Sequence, residues 1–151
     1  MRAVIQKVKF AKVRVDDIII SEISTGLLVL LAVAENDDFS VIKWIANKII
    51  NLRIFPDSDD RMNKSVLDIN GEIMIISNFT VYGDVHKGFR PNFMKSASAD
   101  ISKPMYLQLV NYLKDIFPNK VADGIFGAMM DIELVNDGPV TVIIEKEKGN
   151  D

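Results

Sequence analysis

The 151-residue chain has no cysteine, one histidine and one tryptophan. Without cysteine there can be no disulfide framework, thiolate metal centre or thiol nucleophile, and the composition suits a reducing cytosolic compartment. His86 has no acidic partner at triad spacing in the sequence, so neither a histidine-based nucleophilic triad nor a zinc site is expected. Long apolar runs are also missing. The longest, "LLVLLAVA", is far too short to span a bilayer, and the opening "MRAVIQKV" alternates apolar and polar residues where a signal peptide would be continuously apolar. A soluble cytoplasmic protein with no membrane partner is expected. There is no strong charge of either sign: 18 Lys+Arg against 21 Asp+Glu give −3, which excludes the bulk electrostatics of a general nucleic-acid binder. Any RNA contact must be local, and no DNA partner is expected.

The chain does have enough apolar content, 48%, to bury one sizeable core, so a single domain over residues 1–151 is expected. "AVIQKVKFAKVRVDDIIISEI" reads as two strands turning at Asp16-Asp17, with Val4, Val8, Val13 and Val15 suited to one sheet face. "LLVLLAVA" reads as a central strand buried on both faces. Asp37 or Asp38 offers an N-cap to a helix with the stripe Val41, Ile42, Trp44, Ile45, Ile49 and Leu52. Asn70-Gly71 is a hairpin signal leading into the buried strand "EIMIIS". A second helix, capped by Ser102 or Asp100 with Pro104 near its first turn, would bury Tyr106, Leu109, Val110, Leu113, Ile116 and Phe117 and stop at Pro118. The expected fold class is α/β leaning to α+β: a layered, barrel-like sheet covered by two amphipathic helices.

Three stretches lack an easy structural explanation. "SNFTVYGD" (Ser77 to Asp84) ends a buried strand in hydroxyl and amide residues, and "KGFRP" (Lys87 to Pro91) is a basic loop in an acidic chain. "NDGPVT" (Asn136 to Thr141) places a hairpin-like Asp-Gly between two apolar runs, then adds a proline that an ordinary two-residue hairpin could do without. Singly, each has a common reading as a backbone cap, a solvated turn or punctuation.

Together and in this order they resemble the D-aminoacyl-tRNA deacylases. The resemblance runs the length of the chain through "MRAVIQKV", "GLLVLLAV", "RIFPD", "MNKSV", "SNFTVYGD", "KGFRPNF", "FGAMM" and "LVNDGPVT". It implies a deacylase-like fold and a homodimer that hydrolyses the ester of D-aminoacyl-tRNA as chiral proofreading in translation, with Gly-tRNA, such as glycine mischarged on tRNA-Ala, as a second substrate. No cofactor or metal is implied. By the same resemblance Gly138 and Pro139 form a cis peptide that enters the partner subunit's site, where rigid backbone rejects an L-substituent. Ser77, Asn78, Phe79 and Thr80 form the catalytic stretch, with the Phe79 N–H facing the developing oxyanion. Phe126 and Met130 match positions that line the pocket for the terminal adenosine, and Lys87 and Arg90 match a basic loop facing acceptor-stem phosphates.

Two readings of the chemistry stay open. Thr80 can be the nucleophile, although no base stands near it in sequence, or the substrate's 2′-hydroxyl assists while the protein positions and stabilises. Two departures from the family pattern bear on this: Asn78 stands where the family has Gln, and Lys7 where it has Arg. They keep a non-catalytic tRNA-end-binding module among the alternatives, beside a same-fold enzyme for small L-aminoacyl-tRNA.

Overall fold

The computed structural model describes residues 1–149. β1 (Arg2–Val15) turns at Asp16 and Asp17, both at positive φ, into β2 (Ile18–Ile23), and β3 (Gly26–Ala32) returns along the same edge of β1. After α1 (Phe39–Asn51), the short β4 (Phe55–Pro56) and β5 (Met62–Lys64) pair with each other. β6 (Glu72–Ser77) lies parallel to β3 and to β7 (Val121–Asp123), which follows α2 (Ala99–Ile116). β8 (Asp131–Glu145) runs antiparallel along the other edge of β1. The sheet curls towards closure: the Ser21 hydroxyl on β2 donates to the Asp123 carbonyl on β7, 2.8 Å away.

The two faces of this sheet carry separate cores. Ala3, Ile5, Leu27, Val29, Ile73 and Ile75 pack under the helices, while Val8, Val13, Leu28, Met74 and Ile76 fill the inside of the curl. β3 is thus central and buried on both faces, as its continuous apolar run demands. The single-face reading of Val4, Val8, Val13 and Val15 is corrected. Val8 and Val13 share the inner core, but irregularities in the β1–β8 register on both sides of Val8 switch which alternate residues point inward.

Three other expectations change. Asn70-Gly71 makes no hairpin; it closes a turn, with Gly71 N–H bonded to the Val66 carbonyl, before β6 joins β3 in parallel. α2 begins at Ala99 after Ser98, so neither Asp100 nor Ser102 is its cap and Pro104 lies inside the helix. Ile116 points outward, whereas Tyr106, Leu109, Val110, Leu113 and Phe117 are buried as expected. α1 matches its signal: Asp38 caps it through the Ser40 and Val41 N–H groups. α1 and α2 meet where the rings of Phe39 and Tyr112 stack edge to face at 5.5 Å. Among the described residues, no helix is long and apolar enough to cross a membrane.

The "NDGPVT" stretch does not reverse the chain. Thr141 pairs with Gln6 and Asn136 with Val8, so Asp137 to Val140 bulge out opposite the single residue Lys7 within one continuous strand. The strong turn chemistry serves a bulge, and the Gly138–Pro139 bond within it is cis.

Candidate active site

β6 ends where its pairing with β3 ends, at Ser77, and the next N–H, of Asn78, bonds the Leu31 carbonyl at 2.7 Å. A single 3-10 turn over Phe79–Tyr82 follows, because Asn78 caps it: its Oδ1 accepts the Thr80 N–H at 3.2 Å and the Thr80 hydroxyl at 2.5 Å. Two neighbours pin this turn. The Ser96 hydroxyl donates to the Phe79 carbonyl at 2.7 Å, and Arg2 donates to the Val81 carbonyl while its guanidinium lies 4.9 Å from the Tyr82 ring centroid. The hydrogen bonds of the described residues include none donated by the Phe79 N–H.

Beside the turn opens a cavity of about 510 Å³. Ser77, Asn78 and Phe79 form one wall, and Phe126 and Met130 form another. Phe126 and Met130 are also half-buried against the two cores, so each packs on a core and lines the cavity at once. Thr80 does not line the cavity; it is exposed beside it, with its hydroxyl turned to Asn78.

Sequence reasoning missed Tyr106, which it placed only in a buried helical stripe. Its ring lies 5.8 Å from that of Phe126 at the cavity floor, and its hydroxyl donates to the Ile75 carbonyl at 2.8 Å. Burial, with Asp123 nearby, pushes this phenol far above its ordinary pKa, so it stays neutral. Ser96 was missed too, since no local pattern links it to a carbonyl seventeen residues earlier. None of the residues lining the cavity is Asp, Glu, His, Lys or Arg. The wall therefore offers hydrogen-bond donors and apolar surface but no ionisable general base near neutral pH.

The remaining predicted residues lie outside the cavity. Lys87 and Arg90 sit on an exposed loop whose base packs beside Phe79, where the Phe93 and Phe79 rings meet edge to face at 5.2 Å. His86 has an acidic neighbour two residues back, outside the cavity: its Nδ1 lies 2.6 Å from Asp84 Oδ1. Hydrogen bonds from the His86 backbone and then its ring hold the Asp84 pKa below the ordinary carboxylate value. This pair is exposed, and among the described residues no cluster of His, Cys, Asp and Glu could hold a metal ion.

Gly138 and Pro139 are exposed on the β8 bulge and do not line the cavity of their own chain. The bulge is held by Asn136, whose Oδ1 accepts the Val140 N–H at 2.8 Å and whose Nδ2 reaches Thr141 Oγ1 at 3.1 Å. Lys7, only 8% exposed, extends its ammonium to 3.3 Å from Asp137 Oδ2.

Known proteins resemble this chain over nearly its whole length. The sequence model of the D-Tyr-tRNA(Tyr) deacylase family matches residues 4–145. A D-aminoacyl-tRNA deacylase of Thermosipho africanus is 53% identical over 148 residues, covering 98% of this chain and 99% of its own. One from Fusobacterium nucleatum is 49% identical over 150 residues, covering 99% of each. Among solved structures, a c-Myc DNA unwinding element binding protein superposes with a TM-score of 0.93 at 35% identity, covering 97% of this chain and 99% of its own. A probable eukaryotic D-amino acid tRNA deacylase shares the fold with a TM-score of 0.78 at 16% identity, over 95% of this chain and 97% of its own.

Proposed function

The chain belongs to the D-Tyr-tRNA(Tyr) deacylase family, and on that premise we propose that it hydrolyses the ester of D-aminoacyl-tRNA, releasing free amino acid and tRNA in the cytoplasm. The observation that carries this reading is the cavity at the end of β6. Phe79, whose backbone N–H donates no hydrogen bond among the described residues, lines it with the small polar residues Ser77 and Asn78, and Phe126 and Met130 add apolar surface suited to a base. A fixed N–H of this kind stabilises the oxyanion of ester cleavage without reorganising as charge develops.

The mechanism follows from what the wall can supply. Phe126 and Met130 hold the terminal adenosine, leaving the ester carbonyl at Phe79. Water attacks the carbonyl carbon, and the C–O bond to the 3′-oxygen breaks. The vicinal 2′-hydroxyl of the substrate relays the proton from water to the departing 3′-oxygen, a task for which the cavity wall has no ionisable side chain.

Chirality is read by Gly138 and Pro139 of a second copy, so the working unit is a homodimer with two composite sites. Supporting this, both residues are exposed on an anchored bulge and away from their own cavity. A filter that rejects only an L-substituent accepts glycine, so Gly-tRNA is a second substrate.

Release of free amino acid from D-Tyr-tRNA, L-Ala-tRNA and Gly-tRNA tests the whole reading. Cleavage of the first and third with the second spared is expected. Preferential cleavage of L-Ala-tRNA would assign the opposite chirality, and binding without cleavage would leave only a tRNA-end-binding module.

A further inference from the structure

The loop between the 3-10 turn and α2 carries a side chain that the reaction does not use. Asp84 and Asn92 exchange two backbone hydrogen bonds of 2.8 Å, closing a seven-residue tip from Val85 to Pro91. Below the closure, Phe93 packs on Phe79, and Ala97 N–H bonds the Val33 carbonyl at 2.8 Å, so the loop is footed on the rim of the cavity. At the tip, Gly88 takes φ +70° with nothing within 4 Å of where a Cβ would stand. The next residue, Phe89, is fully exposed at 105% of its reference area.

A free phenyl ring in water has no structural purpose in this chain, and its flanks indicate its partner. Lys87 and Arg90 bracket it, and among the described residues neither has an ion-pair partner. Asp84, the carboxylate that adjoins the tip in sequence, is occupied by His86. A chain of net charge −3 thus displays a small cationic patch around an aromatic face, beside a cavity sized for a nucleotide end. Alternating cation and aromatic is the arrangement that holds single-stranded nucleic acid, with rings under bases and cations on phosphates. The tip lies at most about 15 Å from the Asp84–Asn92 closure, some four residues of chain away. That reach equals roughly four stacked nucleotides.

We infer that Phe89 is a stacking platform for an unpaired base on the 5′ side of the terminal adenosine, with Lys87 and Arg90 on the adjoining phosphates. This rests on the reading of aminoacyl-tRNA as substrate and adds a subsite to it. The ring selects for a single-stranded 3′ overhang, whereas the cations contribute affinity for any sequence.

Binding of deacylated tRNA, followed by anisotropy across a salt series, separates the two contributions. Phe89→Ala weakens binding about tenfold with the salt slope unchanged, and Phe89→Trp restores it. Lys87→Ala instead lowers the slope by about 0.7 to 0.9, the share of one phosphate. In deacylation, Phe89→Ala raises KM for D-Tyr-tRNA and leaves cleavage of D-tyrosyl-adenosine, which has no upstream nucleotide, as in the wild type. Unchanged tRNA affinity in Phe89→Ala overturns the inference. So does an equal loss on both substrates with an altered sedimentation coefficient, which would place the ring against a second copy of the chain. A wild-type protein that binds tRNA yet cleaves neither ester overturns the deacylase reading alone, and the binding series still decides the role of Phe89. Absence of any tRNA binding overturns both.

Discussion

The Lys7 ammonium lies 3.3 Å from Asp137 Oδ2, and so ties the single residue on β1 to the four-residue bulge that it faces on β8. Lys7 is buried and Asp137 half-exposed, so the pair is partly screened, but removing the carboxylate strands a charge in the sheet. Asp137→Ala should therefore cost about 1–3 kcal/mol in urea unfolding at unchanged m-value. Lys7→Met removes the buried charge itself and should cost less. Both variants lose one of the two anchors of Gly138 and Pro139, the Asn136 clamp remaining, so both should show a reduced ratio of D- to L-ester cleavage. A Lys7→Met protein with the wild-type ratio would show that the ion pair does not position the bulge.

Gly138 sits at φ +134°, and a Cβ there would stand 2.6 Å from Val140 Cγ2 and 3.0 Å from Val140 N. That nitrogen is the donor to Asn136, so Gly138→Ala combines a strained backbone with displacement of the clamp. A loss of about 1–3 kcal/mol is expected, together with loss of D-over-L discrimination. Gly88→Ala is the control. At φ +70° with open space around it, it should cost about 1–2 kcal/mol from conformation alone and leave discrimination intact.

How much of this was legible in the sequence depends on the range over which each cause acts. The Asp38 cap, the β1–β2 turn and the twice-buried β3 are set by residues within a few positions, and all three read correctly. Asn70-Gly71 and Asp137-Gly138 carry the same local turn chemistry, yet neither makes a hairpin, because the partners of β6 and β8 are the distant β3 and β1. The walls of the cavity were legible as motifs. The Ser96 and Arg2 contacts that pin the Phe79–Tyr82 turn were not, since they join residues seventeen and seventy-nine positions apart.

The Asp38 cap should give the fold a defined acid limb. The Ser40 hydroxyl, then Lys148 and the Val41 and Ser40 N–H groups, lower its pKa from 3.8 to about 2. A depressed folded-state pKa means that the carboxylate stabilises the fold above the unfolded value of 3.8, and that this contribution fades as pH falls from there towards about 2. Asp38→Ala should therefore melt below the wild type at pH 7, and the gap should narrow across that window. Paired thermal melts at pH 7, 4 and 2.5 check the sign; a gap that widened on acidification would contradict it.

The identity of the nucleophile turns on where the Thr80 proton points. Thr80 Oγ1 lies 2.5 Å from Asn78 Oδ1, an amide oxygen that accepts the hydrogen bond but cannot take the proton at neutral pH. The cavity beside it has no ionisable base and Thr80 does not line it, so no described residue of that lining activates this hydroxyl for attack. What the hydroxyl does is tighten the cap that sets the Phe79 peptide. Thr80→Ala should then lose about 1–3 kcal/mol of transition-state stabilisation, a reduction of roughly five- to 150-fold in kcat/KM, with turnover still measurable. Thr80→Ser keeps the hydrogen bond and should recover most of the rate. Quenched single turnovers should trap no acyl-enzyme. The complementary substrate is a tRNA ending in 2′-deoxyadenosine and charged through its 3′-hydroxyl with a D-amino acid. It presents the same ester to the same Phe79 N–H but has no vicinal hydroxyl to relay the proton, so it should bind and resist cleavage. Efficient cleavage of the deoxy ester, together with an inactive Thr80→Ala protein, would return the attack to Thr80 and require a base that the free chain does not place beside it.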